Sequence, residues 1–272
     1  MTIRKAYADT TDGQVHYRHT QGGSGEPLIF FHMTSASSAG YVPILEQLAG
    51  KLPMIAFDTP NYGESYRTAR EPSIAYIASA LLEALDDLGI EKFHTFGHHT
   101  GVSIQCEMAA IAPHRVLSTI MNGPNYATME QNAYLMTKLV VPNPISIKGT
   151  QFVAAWSRAK DNYPFSLWNN EDVQADIMNR ETIDMLRAGP EWCWAYRAVF
   201  SHDLRKAMAL VRCPKLFLCG SDDLAFDFHK QASADYPDAP SKDTPGGIYA
   251  VESHAPEFAP HILAFIESLK TT

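Results

Sequence analysis

Two adjacent histidines stand between glycines in the pentapeptide Gly97-His98-His99-Thr100-Gly101. The apolar run of residues 93–96 precedes the pentapeptide and a helical pattern follows it. This order of strand, sharp turn and helix is typical of a nucleophile elbow. Glycines flank such a turn because its central residue has a strained backbone and the neighbouring chain passes too close for a side chain. The central residue here is His99, whereas the usual motif has serine at that position.

The imidazole of His99 is able to do three kinds of chemistry. As a nucleophile it forms an acyl-imidazole, which hydrolyses readily. As a general base it takes a proton from water, and as a hydrogen-bond donor it holds a substrate oxygen. The sequence leaves these three roles open, together with a fourth interpretation in which the turn belongs to a protein that binds a ligand and performs no reaction.

The elements that must position this turn follow from an alternation of short apolar runs with helical patterns. That alternation predicts the α/β class, with a mainly parallel sheet that helices cover. An opening antiparallel hairpin is predicted over residues 4–19, because Thr11-Asp12-Gly13 is a turn signal in front of an alternating run. Further strands are predicted at residues 28–31, 54–57, 93–96, 116–121, 215–219 and 248–251, and helices at residues 74–88, 101–111 and 256–269.

The strand pattern disappears between residues 126 and 206, where the sequence becomes helical and aromatic. We interpret residues 126–206 as a helical cap inserted into a core that residues 1–125 and 207–272 form. A cap that closes over the elbow lines the pocket below it. All four tryptophans lie in this block, so they are candidate pocket residues and favour a small apolar or aromatic substrate. They are Trp156, Trp168, Trp192 and Trp194.

Four further segments carry a resemblance to a known family. They are Phe31-His32-Met33-Thr34 after the third strand, the turn-rich Asp58 through Ser65, Gly220-Ser221-Asp222-Asp223 after a strand, and Ser253-His254 before the last helix. Together with the elbow, their order over residues 10–268 resembles the α/β-hydrolase superfamily, in particular its capped branch of epoxide hydrolases, haloalkane dehalogenases and carbon-carbon bond hydrolases. The resemblance implies an α/β-hydrolase fold with a mainly parallel eight-stranded sheet, helices on both faces and an inserted helical cap.

The resemblance also implies roles for individual residues. It gives the acid of a catalytic triad to Asp223, with the neighbouring Asp222 as a rival, and the base to His254. The expected triad is therefore His99, Asp223 and His254. In this triad His254 carries the proton and His99 stays neutral, because two close imidazoles do not readily both carry a charge. His98 is interpreted as a packing residue.

Backbone N–H groups are expected to form the oxyanion hole. One donor is Thr100, which follows the elbow residue. The other is Thr34 or Met33. His32 on the same loop is a further candidate for contact with the oxyanion or the substrate. Met33 stands where the family has glycine, and its simplest role is that of a pocket wall.

These features predict cofactor-independent hydrolysis of a small apolar carbonyl compound, such as an ester, a lactone or a β-diketone. His32, His99 and His254 come from three separate loops, and Asp223 is expected to pair with His254, so we predict no metal site. The elbow has no aspartate, which disfavours the carboxylate-nucleophile mechanisms of dehalogenases and epoxide hydrolases. The alternatives are a non-hydrolytic lyase, decarboxylase or cofactor-free oxygenase, or a non-catalytic binding protein, since a fold does not determine a function.

The composition limits the kinds of binding partner and the cellular compartment that we expect for this protein. Twenty-two Lys and Arg against thirty Asp and Glu give a formal charge of -8, and no basic cluster is present, which disfavours nucleic acid as a partner. No apolar stretch suits a signal peptide or a membrane span, and the four cysteines show no CxxC spacing. We therefore expect a cytoplasmic protein with reduced thiols and no membrane partner. The oligomeric state is left open, with a homodimer among the options.

Overall fold

The amino-terminal hairpin is the first part of the sheet. The computed structural model describes residues 2–161 and 171–271. Strands β1 (Ile3–Thr10) and β2 (Gly13–Thr20) pair antiparallel, with Thr10 opposite Gly13. The two residues between them form the tight turn that the sequence predicts, so the hairpin over residues 4–19 is confirmed.

Eight strands form one sheet in the described part of the chain. The six that follow the hairpin are β3 (Leu28–Phe31), β4 (Met54–Phe57), β5 (Phe93–His98), β6 (Val116–Asn122), β7 (Lys215–Gly220) and β8 (Ser241–Thr244). Their order across the sheet is β1-β2-β4-β3-β5-β6-β7-β8. The pairs β1–β2 and β2–β4 are antiparallel, and the other pairs are parallel. The mainly parallel eight-stranded sheet is thus confirmed, and the carboxyl ends of β5, β6 and β7 lie side by side.

The helices predicted at residues 74–88, 101–111 and 256–269 are present to within one residue at each end. Within the described ranges the α-helices are α1 (Val42–Leu48), α2 (Ile74–Asp87), α3 (Thr100–Ile111), α4 (Met129–Leu139), α5 (Thr150–Asp161), α6 (Glu171–Ala188), α7 (Trp194–Phe200), α8 (Leu204–Leu210), α9 (Phe226–Asp235), α10 (Ala250–Ser253) and α11 (Ala255–Ser268). No helix among the described residues has the length and apolar character needed to cross a membrane.

Helices cover both faces of the sheet, because successive strand residues point to opposite sides. In β3, Ile29 and Phe31 belong to a core that includes residues of α2 and α3. Leu28 and Phe30 belong to a second core on the other face, with residues of α1 and α11. All four side chains are fully buried. A strand that is buried on both faces needs a continuous apolar sequence, which is why this strand and β4 were predictable to the residue.

Five α-helices, α4 to α8, separate β6 from β7, and the described residues of this stretch form no strand. This agrees with the loss of strand pattern between residues 126 and 206. We call residues 126–206 the helical segment. Its role as a cap and the boundaries of the two core parts stay predictions. Trp168 lies outside the described residues.

The last strand lies earlier in the sequence than predicted. The prediction placed it at residues 248–251, but β8 is Ser241–Thr244, and residues 248–251 form a turn and the start of α10. The strand was missed because β8 is an edge strand of polar residues with only its last residue buried. The apolar residues 248–251 are buried as predicted, but a short apolar run fits a buried turn or helix as well as a strand.

Candidate active site

The turn between β5 and α3 has the sharp geometry that its glycines predict. His99 has φ +48° and ψ -101°, in a region of backbone space that few residues other than glycine adopt. A Cβ atom on Gly101 would lie 1.9 Å from the carbonyl oxygen of Phe31, and one on Gly97 would lie 2.5 Å from the backbone of Gly101. The two glycines therefore let β3 and the start of α3 approach the turn, and the strained residue between them is His99.

The ring of His99 contacts the loop after β7. Its Nε2 lies 3.0 Å from each carboxylate oxygen of Asp223. Because an ionised carboxylate only accepts hydrogen bonds, Nε2 carries the hydrogen, and in the neutral ring Nδ1 then carries the lone pair. No hydrogen bond joins Nδ1 to a residue within the described ranges, and His99 lines a cavity. The free nitrogen of the pair is thus available to a ligand.

Gly123, just after β6, makes room for this pair. A Cβ atom at Gly123 would lie 2.6 Å from Cδ2 and from Nε2 of His99, and 3.5 Å from Oδ2 of Asp223. Gly123 also has φ +57°, and its N–H donates to the carbonyl oxygen of Leu218. The ring of His99 therefore lies flat against backbone that carries no side chain. The predicted strand at residues 116–121 ends just before Gly123, and no pattern in the sequence connects this glycine with the site.

Asp223 is ionised in this setting. Its side chain is buried, which by itself disfavours the charge, but the nearby His99 and His98 and the hydrogen bond from His99 outweigh burial and lower its pKa. The N–H of Ala225 also donates to Oδ1 at 2.7 Å. Asp222 is exposed, and its N–H bonds to the carbonyl oxygen of Gly246. Of the two candidate acids, the structure brings Asp223 to the elbow.

His254 does not join this pair, and the predicted pairing of Asp223 with His254 is wrong. His254 lies at the junction of α10 and α11, and its Nδ1 lies 2.8 Å from the hydroxyl of Ser253. Among the described residues no hydrogen bond connects His254 with Asp223 or His99. The prediction placed His254 directly behind the last strand. In the structure that strand is β8, and the chain forms a turn and α10 before it reaches His254. The residue of this loop that reaches the His99 cavity is Ile248.

His98 packs beneath the pair. Its ring centroid lies 4.6 Å from that of His99, in an edge-to-face arrangement. Burial is the main cause that holds the pKa of His98 well below its ordinary value, and the neighbouring His99 acts in the same direction, so the His98 ring is neutral. Its Nε2 is buried and has no hydrogen-bond partner among the described residues.

The expected oxyanion donors differ in availability. The N–H of Thr34 donates to the hydroxyl of Thr100 at 3.2 Å, and the two hydroxyl groups lie 2.7 Å apart, so the Thr34 donor is already engaged. Thr100 is the first residue of α3, and its own N–H has no acceptor within the helix. Thr100 is therefore the donor that geometry favours. Met33 is buried against Ile177, Ile248 and Tyr249 and is not among the residues that line the cavity at His99, so its role as a pocket wall stays a prediction.

His32 is fully occupied by hydrogen bonds within the protein. Its Nδ1 donates to the carbonyl oxygen of Met33 at 2.8 Å, and its Nε2 accepts from the N–H of Thr59 at 3.0 Å. Burial is the main cause that lowers its pKa, so the ring is neutral and each nitrogen has one partner. His32 ties the loop after β3 to the loop after β4. His32 therefore offers no free nitrogen to a ligand, and it does not line the cavity at His99, so a contact with substrate stays a prediction.

The cavity at His99 has a volume of about 120 Å³. Since a cavity of about 150 Å³ holds benzene, this one suits a single small ring or a short chain. His99 and Thr100 form one wall, and the rest is mostly apolar. The other lining residues are Asn125, Leu135, Leu139, Tyr196, Val199, Phe200, Leu224, Ala225, Phe228 and Ile248.

No tryptophan of the described ranges lines this cavity, so the structure gives no support to Trp156, Trp192 and Trp194 as pocket residues. Trp156 is 44% exposed, and Trp192 is buried under the guanidinium of Arg158, which lies 4.4 Å from its ring centroid. The aromatic wall comes instead from Tyr196 and Phe200, whose rings stack. Helical spacing in the sequence could have identified these lining residues. Residues 196, 199 and 200 share one face of α7, and residues 135 and 139 share one face of α4.

Comparisons with known proteins agree with this architecture. A family model described as alpha/beta hydrolase fold matches residues 26–146. A dihydrolipoyllysine-residue acetyltransferase component of an acetoin cleaving system from Cupriavidus necator is 30% identical over 118 residues, which cover 43% of this chain and 31% of that protein. A fluoroacetate dehalogenase from a Burkholderia species is 29% identical over 126 residues, 44% of this chain and 41% of that protein. The matched region thus spans less than half of these relatives.

Solved structures match over nearly the whole chain, and one of them is an enol-lactonase. The enol-lactonase from Burkholderia xenovorans superposes with a TM-score of 0.77 at 16% identity, and the alignment covers 96% of this chain and 100% of that one. At this identity the likeness concerns the fold alone.

Proposed function

We propose that this chain, which has the α/β-hydrolase fold, is an enzyme that hydrolyses a small, largely apolar carbonyl compound, with His99 as general base. One observation carries this proposal. The Nε2 of His99 bonds both oxygens of buried Asp223, while the ring lines an apolar cavity. A carboxylate in this position fixes the tautomer of an imidazole and stabilises the imidazolium that forms when the ring takes a proton.

The reaction starts with water between Nδ1 of His99 and the substrate carbonyl carbon. Nδ1 takes one proton from the water as its oxygen bonds to that carbon, and the carbonyl electrons move to the oxygen. The N–H of Thr100 donates to this oxyanion. When the tetrahedral intermediate collapses, the bond to the leaving group breaks, and the imidazolium returns its proton to the leaving group.

General-base catalysis suits His99 better than nucleophilic attack. With Nε2 bonded to Asp223, the ring offers only Nδ1, which is next to the carbon that bears Cβ and is therefore the more crowded nitrogen. A water molecule fits there more easily than an acyl group. Among the described residues that line the cavity, no serine or cysteine is available as a substitute nucleophile.

The cavity supports a small substrate with one carbonyl group and little other polarity. Esters, lactones and β-diketones with a single ring or a short chain fit this description. The similar proteins include a fluoroacetate dehalogenase and an enol-lactonase, whose names are those of enzymes that act on small molecules.

A second candidate is proton abstraction from carbon, as in a lyase. The same absence of a nucleophile favours it, because a paired imidazole is also able to remove a proton from carbon. Product analysis in water enriched in oxygen-18 separates the two candidates, since only hydrolysis transfers the label to the product acid.

The test is a panel of short-chain p-nitrophenyl esters, small lactones and β-diketones, followed by kinetics on the best substrate. We expect His99→Gln to lower kcat/KM by about 10²-fold or more, the scale for loss of a general base, because glutamine donates a hydrogen bond but accepts no proton. Asp223→Asn should have a comparable effect. The matched control is Asp222→Asn, the neighbouring exposed acid, which should change kcat/KM less than twofold. Full activity in His99→Gln would contradict the proposal.

A further inference from the structure

Three metal-binding side chains meet at the elbow. One nitrogen from His98, one nitrogen from His99 and one carboxylate oxygen from Asp223 all lie within 4.8 Å of one another. The Asp223 side chain is 1% exposed, and His98 is buried. Among the described residues, these three side chains form a group that could surround one ion.

The second observation is the unpaired nitrogen of His98. Its Nε2 is buried and has no hydrogen-bond partner among the described residues, although His98 is adjacent to two groups that bond each other. A buried polar atom without a partner costs about 1–3 kcal/mol. Such an atom in a native structure indicates an unseen partner, and a metal ion is one kind of partner.

We propose that His98, His99 and Asp223 form a binding site for a divalent transition-metal ion of the Zn²⁺ type. Two imidazoles and one carboxylate are a donor set that catalytic zinc sites use, and they leave further positions for water. This inference goes beyond the hydrolysis proposed above, which needs no metal.

The geometry needs small adjustments. Ligand atoms about 2.05 Å from a tetrahedral zinc ion lie about 3.3 Å apart, and Nε2 of His99 lies 3.0 Å from each oxygen of Asp223. The His98 nitrogen must approach by at most about 1.5 Å to complete the triangle. When the ion binds Nε2 of His99, the hydrogen on Nε2 moves to Nδ1, so no proton is lost from the ring.

The same step removes the general base. With the ion on Nε2 and the hydrogen on Nδ1, His99 has no lone pair for water, and Asp223 no longer bonds the ring. Metal binding and base catalysis therefore exclude each other at this site. Zn²⁺ should inhibit the hydrolysis, and chelation should restore it.

The direct test is spectroscopic and independent of any substrate. Protein treated with a chelator and dialysed is titrated with Co²⁺, whose visible absorption reports a low-coordinate nitrogen and oxygen site, and Zn²⁺ is then added to displace it. We expect one ion per chain. His98→Asn should weaken the affinity for Co²⁺ by at least about 10-fold, since even outer-shell partners of a metal carry that much. Asp223→Asn should weaken it similarly.

The matched control is His94→Asn. His94 is a second buried histidine on β5, and its Nδ1 bonds the hydroxyl of Ser118 away from the elbow. We expect its Co²⁺ affinity to equal that of the unmodified protein, and circular dichroism checks that each variant is folded. Absence of Co²⁺ absorption, or equal affinity in His98→Asn, would overturn the site. If Co²⁺ binds but no carbonyl compound is hydrolysed, the metal site stands and the proposed hydrolysis fails.

Discussion

Two histidine–aspartate pairs in this protein have the same chemistry and different surroundings. His16 and Asp58 are both 1% exposed, with Nδ1 and Oδ2 2.7 Å apart. In the second pair, His99 is 18% exposed and Asp223 is 1% exposed, and the nitrogen lies 3.0 Å from the oxygen. The first pair is closed on all sides, whereas the second exposes its imidazole to a cavity. Access, and not the pairing itself, distinguishes a candidate active site from a structural contact.

The number of backbone partners also differs. Besides His16, Asp58 accepts from the N–H of Ser38 at 2.6 Å and from the N–H of Glu64 at 2.9 Å. It therefore joins β2, the loop after β3 and its own loop. Asp223 accepts one backbone N–H, from Ala225 two residues further on. The Asp58 pair holds distant segments together, and the Asp223 pair serves its own imidazole.

The largest expected effect is the loss of stability in Asp58→Ala. This change leaves His16 and the N–H groups of Ser38 and Glu64 without their acceptor, and each buried donor left unsatisfied costs about 1–3 kcal/mol. At about 2–4 °C per kcal/mol, the melting temperature should fall by at least about 6 °C. Activity per folded molecule should stay within about twofold, since Asp58 does not line the cavity.

Asp223→Ala should show the opposite pattern, with a smaller fall in melting temperature and loss of most activity. Calorimetry and kinetics on both variants decide the comparison. If Asp58→Ala abolished activity in the folded protein, or if Asp223→Ala kept it, the distinction between the two pairs would be wrong.

The next effect concerns Gly123→Ala. The new Cβ would meet the ring of His99 at 2.6 Å, so the ring must turn away from Asp223. A residue with a side chain at positive φ also costs about 1–2 kcal/mol by itself. Gly89→Ala is the matched control, because Gly89 has φ +66° and open space around its Cβ position.

We expect both glycine variants to lose stability. Only Gly123→Ala should also lose activity, by about 10-fold or more, which corresponds to about 1.4 kcal/mol of activation free energy. In a His99→Ala background the clash is absent, so Gly123→Ala should then cost no more stability than Gly89→Ala. Equal activity in the two glycine variants would show that the position of the ring does not depend on Gly123.

A smaller effect is expected in acid. Burial disfavours the charge on Asp58, but the hydrogen bonds from His16, Ser38 and Glu64 outweigh it and lower the pKa. A carboxylate whose pKa is lower in the folded state stabilises the protein above its unfolded pKa. That stability is lost as pH falls through the folded pKa.

The free energy of unfolding of Asp58→Asn, measured with urea, should therefore fall less steeply between about pH 5 and about pH 3 than that of the unmodified protein. Glu181, Asp184 and Glu252 act in the opposite direction, because burial raises their pKa values around Arg180. Parallel pH curves for the two proteins would mean that Asp58 is not a main source of acid sensitivity.

Sequence patterns predicted those parts of the fold that depend on local chemistry. β3 and β4 were predictable because both of their faces are buried, and the elbow because glycine is required where chains nearly touch. β8 was not, since a polar edge strand has no apolar pattern. The pairing of Asp223 with His99 was not predictable either, because the position of His254 depends on the path of the chain after β8. The contact of His99 with Gly123 joins two distant segments, and no local pattern encodes it.

The smallest expected effect is that of His254→Gln, and it tests the correction to the predicted triad. If His254 carried the proton, this change would lower kcat by about 10²-fold or more, as loss of a general base does. In the structure its Nδ1 bonds Ser253, and the cavity receives Ile248 from the same loop. We therefore expect kcat and KM within about twofold of the unmodified protein, which is about 0.4 kcal/mol. Kinetics on the substrate used for His99→Gln provide the comparison. A large loss of kcat in His254→Gln would mean that His254 belongs to the catalytic group together with His99 and Asp223.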